Sequence, residues 1–501
     1  MTASRITACL AVSAALHMGC AEPTSEGDLE LGSDELEHTA EVVQALASDP
    51  STVATHGYCW HNHIYNGTRA RIYYPSNGGC SKSVYSPLVV IVHARGAMPL
   101  GGNYNHTRYH YLQRHLARNG FISVSVEVGM QDADDAAVTA WDFVEDYVWS
   151  VWPKSVYIDP SSVALVGHSR GGAAMRYLAQ SLENHPIFTV KSVVNLAPAS
   201  QGPDLDGNQT EGYFHIYGTS DGDTSPGATF ANHDRAGDDG SQLDPIWNDD
   251  VVYKSVKLLE GATHGGYIDG GPQNDAVKGY VLAYLAAHNK GDATWYEDYI
   301  RGDAVPGGWA QPIHTTYSDG FYRRVIDHFD DGIVNNSTIG GTVGYANATA
   351  QVFDPGFPHD TDVMWMWGHN TSGVVVWTIP AGKRNAGGFE WLSLRIAQLS
   401  GAPANDLRIQ IRDGITWSKE IRLTDHGTIP QPTEMCFGQQ GLGCLPADLD
   451  VVNHMATIRV PLSAFGTHDD VQYVRLRFRG DSAVDTFMID NLEFSEFILK
   501  P

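Results

Sequence analysis

A serine stands between glycines at the end of an apolar run, in VALVGHSRGG at residues 163–172. The letters G-H-S-R-G at 167–171 match the pattern G-x-S-x-G, in which a strand turns sharply into a helix and exposes a serine hydroxyl. An activated hydroxyl of this kind attacks carbonyl carbons. The small glycines permit the close backbone approach that the turn requires. We therefore interpret Ser169 as a nucleophile. The alternative interpretation is a tight turn that happens to contain a serine.

A serine nucleophile needs a base to take its proton and a carboxylate to orient that base. With this type of turn, the order along the chain is serine, acid, histidine. The predicted strand GYFHIYG at 212–218 is followed by Asp221 and Asp223. His264 follows the last predicted strand of this part of the chain, in SVKLLEG. We interpret His264 as the base and Asp221 as the acid, with Asp223 as the alternative acid.

Two backbone N–H groups are expected to stabilise the oxygen that becomes negative during such an attack. One belongs to Arg170, at the N-terminus of the helix predicted after the serine. The other belongs to the loop after the predicted strand PLVVIVH at 87–93, where Arg95 is the first candidate and Gly96 the second. His168, beside the serine, is predicted to serve in packing.

The elements that must position these residues alternate along the chain. From about residue 51 to 290, short apolar strand signals alternate with amphipathic helix signals, which predicts a mostly parallel, doubly wound sheet. From about residue 321 onward, many short strand signals predict an all-β sandwich. We predict a catalytic domain at 51–305, a linker rich in Gly and Pro at 306–320, and a second domain at 321–501.

The region 51–290, with its GHSRGG stretch, resembles the α/β-hydrolase superfamily of serine esterases. Within it, the stretch is most similar to bacterial polyester hydrolases and to cutinase-like and dienelactone-hydrolase-like enzymes. The resemblance implies an α/β-hydrolase fold with Ser169, Asp221 and His264 as the triad and the amides of Arg95 and Arg170 as the oxyanion hole. Only a short stretch of the chain separates VVNLAPA from GYFHIYG, which leaves no room there for a cap domain.

The C-terminal part resembles the jelly-roll modules that are attached to secreted carbohydrate-active enzymes. The resemblance rests on TIRVPLSAF, RLRF and MIDNLEF. It implies a polysaccharide partner and a structural calcium, for which the candidate ligands are Asp327, Asp330 and Asp490. Four tryptophans are candidates for stacking on sugar rings, and for each of them packing in the core is the alternative role. The set is Trp365, Trp367, Trp377 and Trp417.

The N-terminus has the features of an export signal, since Arg5 precedes the short apolar run ITACLAVSAAL. We predict a signal at 1–20 and a flexible acidic spacer at 21–50. Cys20 either carries a lipid or lies at an ordinary cleavage site. The expected location is therefore outside a bacterial cell, either secreted or lipid-anchored at its surface.

Four of the six cysteines lie outside the predicted signal. The short separations within each half of the chain predict the bridges Cys59–Cys80 and Cys436–Cys444, which export makes chemically reasonable. Four reduced, buried thiols are the alternative.

Charge and composition narrow the function further. A formal net charge of −26 argues against a nucleic-acid partner. His106 and His110 have the spacing of a metal pair but lack the glutamate of a metalloprotease, and we interpret them as surface residues. We predict a serine carboxylesterase that needs no catalytic cofactor and acts on bulky or polymeric esters. The alternatives are an amidase or peptidase, and a surface or glycan-binding protein built on an inactive hydrolase scaffold.

Overall fold

The structure is a computed structural model, and its described residues all belong to one compact unit, Ser48–Pro501. The described ranges are 49–80, 84–96, 105–237, 252–318, 322–355, 358–400, 406–437, 444, 449–480 and 485–496. The predicted export signal, Cys20 and nearly all of the acidic spacer lie outside them. No helix within these ranges is long and apolar enough to cross a membrane.

Nine strands form one mixed sheet in the first part of the chain. They are β1 (Gly57–Tyr65), β2 (Thr68–Ser76), β3 (Ser86–Val92), β4 (Ile122–Val126), β5 (Ile158–His168), β6 (Val190–Leu196), β7 (Gly212–Gly218), β8 (Tyr253–Leu259) and β9 (Ile313–Ser318). Their spatial order is β1-β2-β4-β3-β5-β6-β7-β8-β9. Neighbours from β4 to β8 pair in parallel, whereas β1 with β2, β2 with β4, and β8 with β9 pair antiparallel.

Helices cover both faces of this sheet. They are α1 (His110–Arg118), α2 (Ala133–Phe143), α3 (Arg170–Ser181), α4 (Pro226–Arg235) and α5 (Asn274–Lys290). Alternate residues of one strand enter different cores, so that Val90 packs in one hydrophobic cluster and Val89 in another. Burial on both faces explains why β3 reads as a continuous apolar run.

Two antiparallel sheets in the C-terminal part enclose a third hydrophobic cluster. One sheet contains β10 (Arg323–Asp327), β12 (Ala348–Phe353), β13 (Val363–Gly368), β15 (Trp391–Ser400), β21 (Ala456–Pro461) and β23 (Thr486–Ser495). The other contains β11 (Val343–Ala346), β14 (Val374–Thr378), β16 (Leu407–Asp413), β17 (Thr416–Trp417), β18 (Ile421–Arg422) and β22 (Val471–Phe478). A separate pair joins β19 (Thr433–Cys436) to β20 (Leu449–Val452).

The fold class predicted from the sequence was wrong. That prediction was a mostly parallel, doubly wound α/β-hydrolase sheet followed by a jelly roll. Strand residues outnumber helical residues, 37% against 24%, and several sheets are antiparallel. The nine-stranded sheet is itself mixed. Alternation of strands and helices predicts parallel pairing only where a long connection returns the chain to the starting end of the sheet. β1 and β2 are instead joined by the two-residue turn Asn66–Gly67, in which both residues have positive φ, as a tight antiparallel hairpin requires.

Direct contacts connect the C-terminal sheets to the mixed sheet. The predicted linker at 306–320 contains β9, which pairs with β8. The N–H of Cys436 donates to the carbonyl oxygen of Thr219 at 2.9 Å. The buried guanidinium of Arg395 donates to the buried carboxylate of Asp234, at the end of α4, at 2.7 Å. The loop that carries Asp221 and Asp223 is therefore flanked by contacts with the C-terminal sheets.

Both predicted disulfides are present. Cys59, on β1, is bonded to Cys80. Cys436, at the end of β19, is bonded to Cys444.

Candidate active site

Ser169 occupies a turn that few side chains adopt. It lies between the buried strand β5 and helix α3, with φ 57° and ψ −123°. A positive φ is unfavourable for a residue with a Cβ atom and persists only where the surroundings fix it. Here the N–H of Ser169 donates to the oxygen of Leu196 at 2.9 Å, and its own carbonyl accepts the N–H of Gly172 at 2.9 Å. These bonds hold the backbone of the turn in this conformation.

The glycines around Ser169 are required by packing. A Cβ atom on Gly167 would lie 2.1 Å from the carbonyl oxygen of Gly171. A Cβ atom on Gly171 would lie 2.2 Å from the carbonyl oxygen of Val92, on the neighbouring strand β3. Both contacts are with backbone atoms, which cannot move aside without disturbing the sheet. The pattern at 167–171 is therefore explained by close approach of the chain to itself.

Asp221 and His264 form a pair in which the carboxylate is buried and the imidazole is partly exposed. Asp221 follows β7 and is fully buried, and its Oδ2 atom is 2.8 Å from Nδ1 of His264. Its other oxygen, Oδ1, accepts the N–H groups of Asp223 at 3.0 Å and Thr224 at 2.9 Å. These bonds fix the carboxylate on the Nδ1 side of the ring. An acid in this position orients a catalytic imidazole and selects its tautomer.

Asp223 stands at the opposite side of the same ring. Its carboxylate is 3.2 Å from Nε2 of His264, and its side chain is 36% exposed. The Nε2 atom itself is buried and makes no hydrogen bond to any residue that the structure describes. The two aspartates that the sequence left as alternatives therefore contact different nitrogens of one histidine.

Ser169 and Asp223 line one cleft of about 460 Å³. Arg95, Gly96 and Arg170 also line it, so the proposed oxyanion donors lie beside the serine. Arg170 opens α3, and the first N–H groups of a helix have no acceptor within it. No hydrogen bond joins the hydroxyl of Ser169 to His264 in the structure. Such bonds commonly tighten only when substrate is bound.

The two arginines differ in what their side chains do. The guanidinium of Arg170 is buried and donates to the carbonyls of Gly129, at 3.1 Å, and Gln131. Burial lowers the pKa of this guanidinium to about 10. The guanidinium of Arg95 is 56% exposed and lies 3.9 Å from a carboxylate oxygen of Asp132. The side chain of Arg170 thus anchors the neighbouring loop at 129–131.

A network beneath the cleft was missed by the sequence analysis. Glu127 accepts from Nδ1 of His106 at 3.0 Å and lies 3.1 Å from Nε2 of His93. Burial favours the neutral carboxyl, but the hydrogen bonds from His106 and His93 outweigh it and hold the pKa of Glu127 well below its usual range. His106 is 2% exposed, so its interpretation as a surface residue was wrong. It precedes α1 and turns inward, whereas half-exposed His110 faces Asp269 at 3.2 Å.

His168 packs where it was expected to. It is fully buried, and its Nδ1 atom is 2.8 Å from the hydroxyl of Tyr109. The same hydroxyl accepts the N–H of Ala94 at 3.3 Å, in the loop that carries Arg95. Burial holds the pKa of His168 well below its usual value, which favours the neutral ring. Its ring lies 4.7 Å from the ring of His264. No periodicity in the sequence signals these partners, because they come from separate loops.

The three aspartates considered for calcium have other partners. Oδ2 of Asp490 accepts from Arg395 at 2.7 Å. Oδ2 of Asp327 accepts the indole N–H of Trp377 at 3.0 Å. Asp330 accepts the N–H of Asp362 at 3.0 Å. Among the described residues no three His, Cys, Asp or Glu side chains are grouped to hold a metal. An arginine on Asp490 does not fit a cation ligand, and calcium at these residues stays a prediction.

The candidate tryptophans divide by burial. Trp377 is fully buried in the core between the C-terminal sheets, whereas Trp365, Trp367 and Trp417 are half-buried.

Comparisons with known proteins identify no family for this chain. No family model matches the chain. A search of curated proteins finds no relative.

Proposed function

We propose that the protein is a serine hydrolase that cleaves carboxylic esters through an acyl-enzyme. The observation that carries the proposal is the 2.8 Å contact between Oδ2 of Asp221 and Nδ1 of His264, next to a serine held at positive φ. A serine in a mere tight turn needs no such pair nearby. The resemblance to serine esterases, seen in GHSRGG, points to the same chemistry.

In the proposed reaction, Oγ of Ser169 attacks the carbonyl carbon and Nε2 of His264 takes its proton. Backbone N–H groups of Arg95 and Arg170 stabilise the negative oxygen of the tetrahedral intermediate. Nε2 then returns the proton to the leaving alcohol, and an acyl group remains on Oγ. Water attacks this acyl group while Nε2 takes the water proton; the bond from Oγ to the acyl carbon then breaks, Nε2 returns the proton to Oγ, and the carboxylic acid leaves. Asp221 orients the ring throughout.

The substrate class proposed is a bulky or polymeric ester. The connection from β6 to β7, residues 197–211, contains no helix, so this connection contributes no cap over the cleft. Export places such an enzyme among extracellular polymers. The two disulfides are compatible with export, and the predicted signal at 1–20 is its main support.

The test is a substrate screen with wild-type protein and Ser169→Ala. Acetyl, feruloyl, longer acyl and polyester substrates are offered beside the matching amides. We expect ester turnover by the wild type and none above background by Ser169→Ala. Faster cleavage of the amides would instead identify an amidase or peptidase. A wild type that cleaves neither class would contradict the proposal and favour a binding protein on an inactive scaffold.

A further inference from the structure

One face of a C-terminal sheet collects arginines and aromatic rings. It belongs to the sheet that contains β14, β16, β17 and β22. Side chains alternate along these strands, so that Ile411 and Val474 enter the core while Arg412 and Tyr473 point the other way. We call this outward surface the arginine–aromatic face. Its members are Arg408, Gln410, Arg412, Trp417, Tyr473, Arg475, Arg477 and Arg479.

Register places the rings and the guanidinium groups side by side. Arg412 is opposite Tyr473 on one neighbouring strand and opposite Trp417 on the other. The two ring centroids are 6.1 Å apart. The guanidinium carbon of Arg475 lies 3.6 Å from the centre of the Trp417 ring, and that of Arg412 lies 5.3 Å from the Tyr473 ring. Except for the buried Gln410, the face is thus a half-exposed plate of stacked, charged and aromatic groups.

Two of these arginines have no acidic partner. Arg475 donates from Nε and Nη2 to Oε1 of Gln410, at 2.9 and 2.6 Å. Arg412 donates from Nε to the carbonyl of Gly414 at 3.2 Å. Among the residues that the structure describes, no carboxylate pairs with either guanidinium. Burial, followed by the charge of Arg477, lowers the pKa of Arg475 to about 10, which leaves it charged at neutral pH.

The face carries a positive excess on a negative protein. Glu420 accepts from Arg477 at 2.6 Å and from Arg479 at 2.6 Å, and Asp406 accepts from Arg408 at 2.5 Å. Among the residues that the structure describes, these two carboxylates pair with three of the five guanidinium groups of the face, on a chain of net charge −26. A local excess of this sign selects an anionic partner.

We propose that the arginine–aromatic face binds an acidic polysaccharide through its carboxylated sugar rings. Guanidinium groups bind carboxylates with paired hydrogen bonds, which Arg412 and Arg475 can offer without breaking an ion pair. Aromatic side chains supply flat apolar area and a polar tip for an adjacent ring. A nucleic acid is also a polyanion and is repelled by the rest of the chain in the same way, so single-stranded DNA is the probe that distinguishes phosphates from carboxylated sugar rings. The proposal does not depend on Ser169, because the face lies outside the catalytic cleft.

Titration calorimetry with the full chain tests this binding. The probes are polygalacturonate, a neutral galactan of similar length, and single-stranded DNA. We expect binding to polygalacturonate that weakens at about 0.5 M salt, where charges are strongly screened, and little binding to galactan or DNA. Arg475→Gln and Trp417→Ala should each weaken polygalacturonate binding about tenfold. Arg114→Gln, which removes an exposed charge from α1, is the matched control and should bind like the wild type.

Several outcomes would overturn the proposal. They are absent polygalacturonate binding, equal binding of galactan, equal binding of DNA, and a loss in Arg114→Gln as large as in Arg475→Gln. Thermal unfolding of each variant identifies misfolding, in which case Arg412→Gln replaces the affected variant. Hydrolysis of a short p-nitrophenyl ester should be unchanged in the variants of the face. That readout separates a failure here from a failure of the proposed hydrolase.

Discussion

The cleft around Ser169 and the arginine–aromatic face differ in how far their polar groups are buried and hydrogen-bonded. Behind the cleft-lining Asp223, Asp221 is fully buried and each of its oxygens accepts a hydrogen bond. On the face, Arg412 and Arg475 remain half-exposed, with donors available for a partner. Chemistry at one atom requires fixed groups in a desolvated site. Binding along a polymer requires charge and flat area instead. The proposed catalytic site is therefore distinguished by fixed, buried groups, and the proposed binding surface by an excess of exposed positive charge.

The largest expected effect separates the two regions outright. Ser169→Ala should lower kcat for ester hydrolysis by at least about a thousandfold, because no other group replaces the nucleophile. The same variant should bind polygalacturonate like the wild type. Steady-state kinetics and calorimetry on one preparation check both expectations. Residual ester turnover within tenfold of the wild type would contradict the role of Ser169 as the nucleophile.

The next effect distinguishes the two aspartates of the cleft. Asp221→Asn should lower kcat by about a thousandfold or more, because the amide cannot hold the imidazole in the required tautomer. Asp223→Asn should change kcat by less than about tenfold, since Asp223 contacts Nε2 and is partly exposed. KM and kcat measured separately for both variants decide between them. The reverse order of effects would make Asp223 the acid.

A matched pair of glycines compares backbone packing in the two regions. Gly171→Ala forces a methyl group to within 2.2 Å of the Val92 carbonyl, and we expect a loss of several kcal/mol of stability or no folded protein. Gly344→Ala, on β11, meets no atom within 4 Å and should stay within about 0.5 kcal/mol. Urea denaturation measures both. Equal stability of the two variants would contradict the packing explanation of the motif.

One buried carboxylate in the C-terminal part extends the comparison to pH. Asp327 in the C-terminal core lacks a cationic partner among its hydrogen bonds, and burial raises its pKa from 3.8 to about 7. The folded state then binds the proton more tightly than the unfolded state. This group's contribution to stability is fully present below about pH 4 and is lost as the pH rises toward 7.

Asp327→Asn should remove that loss, which amounts to a few kcal/mol across this range. Denaturation at about pH 4.5 and pH 7.5 checks the sign: relative to the wild type, the variant should gain stability as the pH rises. A stability difference between the two proteins that is independent of pH would refute the assignment.

What the sequence revealed was local. The glycines at 167 and 171 and the order of Ser169, Asp221 and His264 can be read directly, because the motif is contiguous and the loops follow predictable strands. The fold class was missed because antiparallel pairing at the edges of the mixed sheet depends on connections rather than on strand signals.

Side-chain burial and strand register could not be predicted from the sequence for the same physical reason. His106 is buried and contacts Glu127, which is 21 residues further along the chain and has no periodic relation to it. The stacking of Arg475 on Trp417 depends on the pairing of three strands. The parity of Trp377 on β14 decides that it enters the core, whereas Trp417 on β17 faces outward.

The most direct test of the central claim is to trap the acyl group on Ser169. The protein is mixed with a p-nitrophenyl ester, quenched in acid during the first turnover, and digested for peptide mass spectrometry. The account predicts one acyl group per chain on Ser169, with none on Ser169→Ala. An acyl group on another residue, or turnover without any covalent adduct, would contradict it.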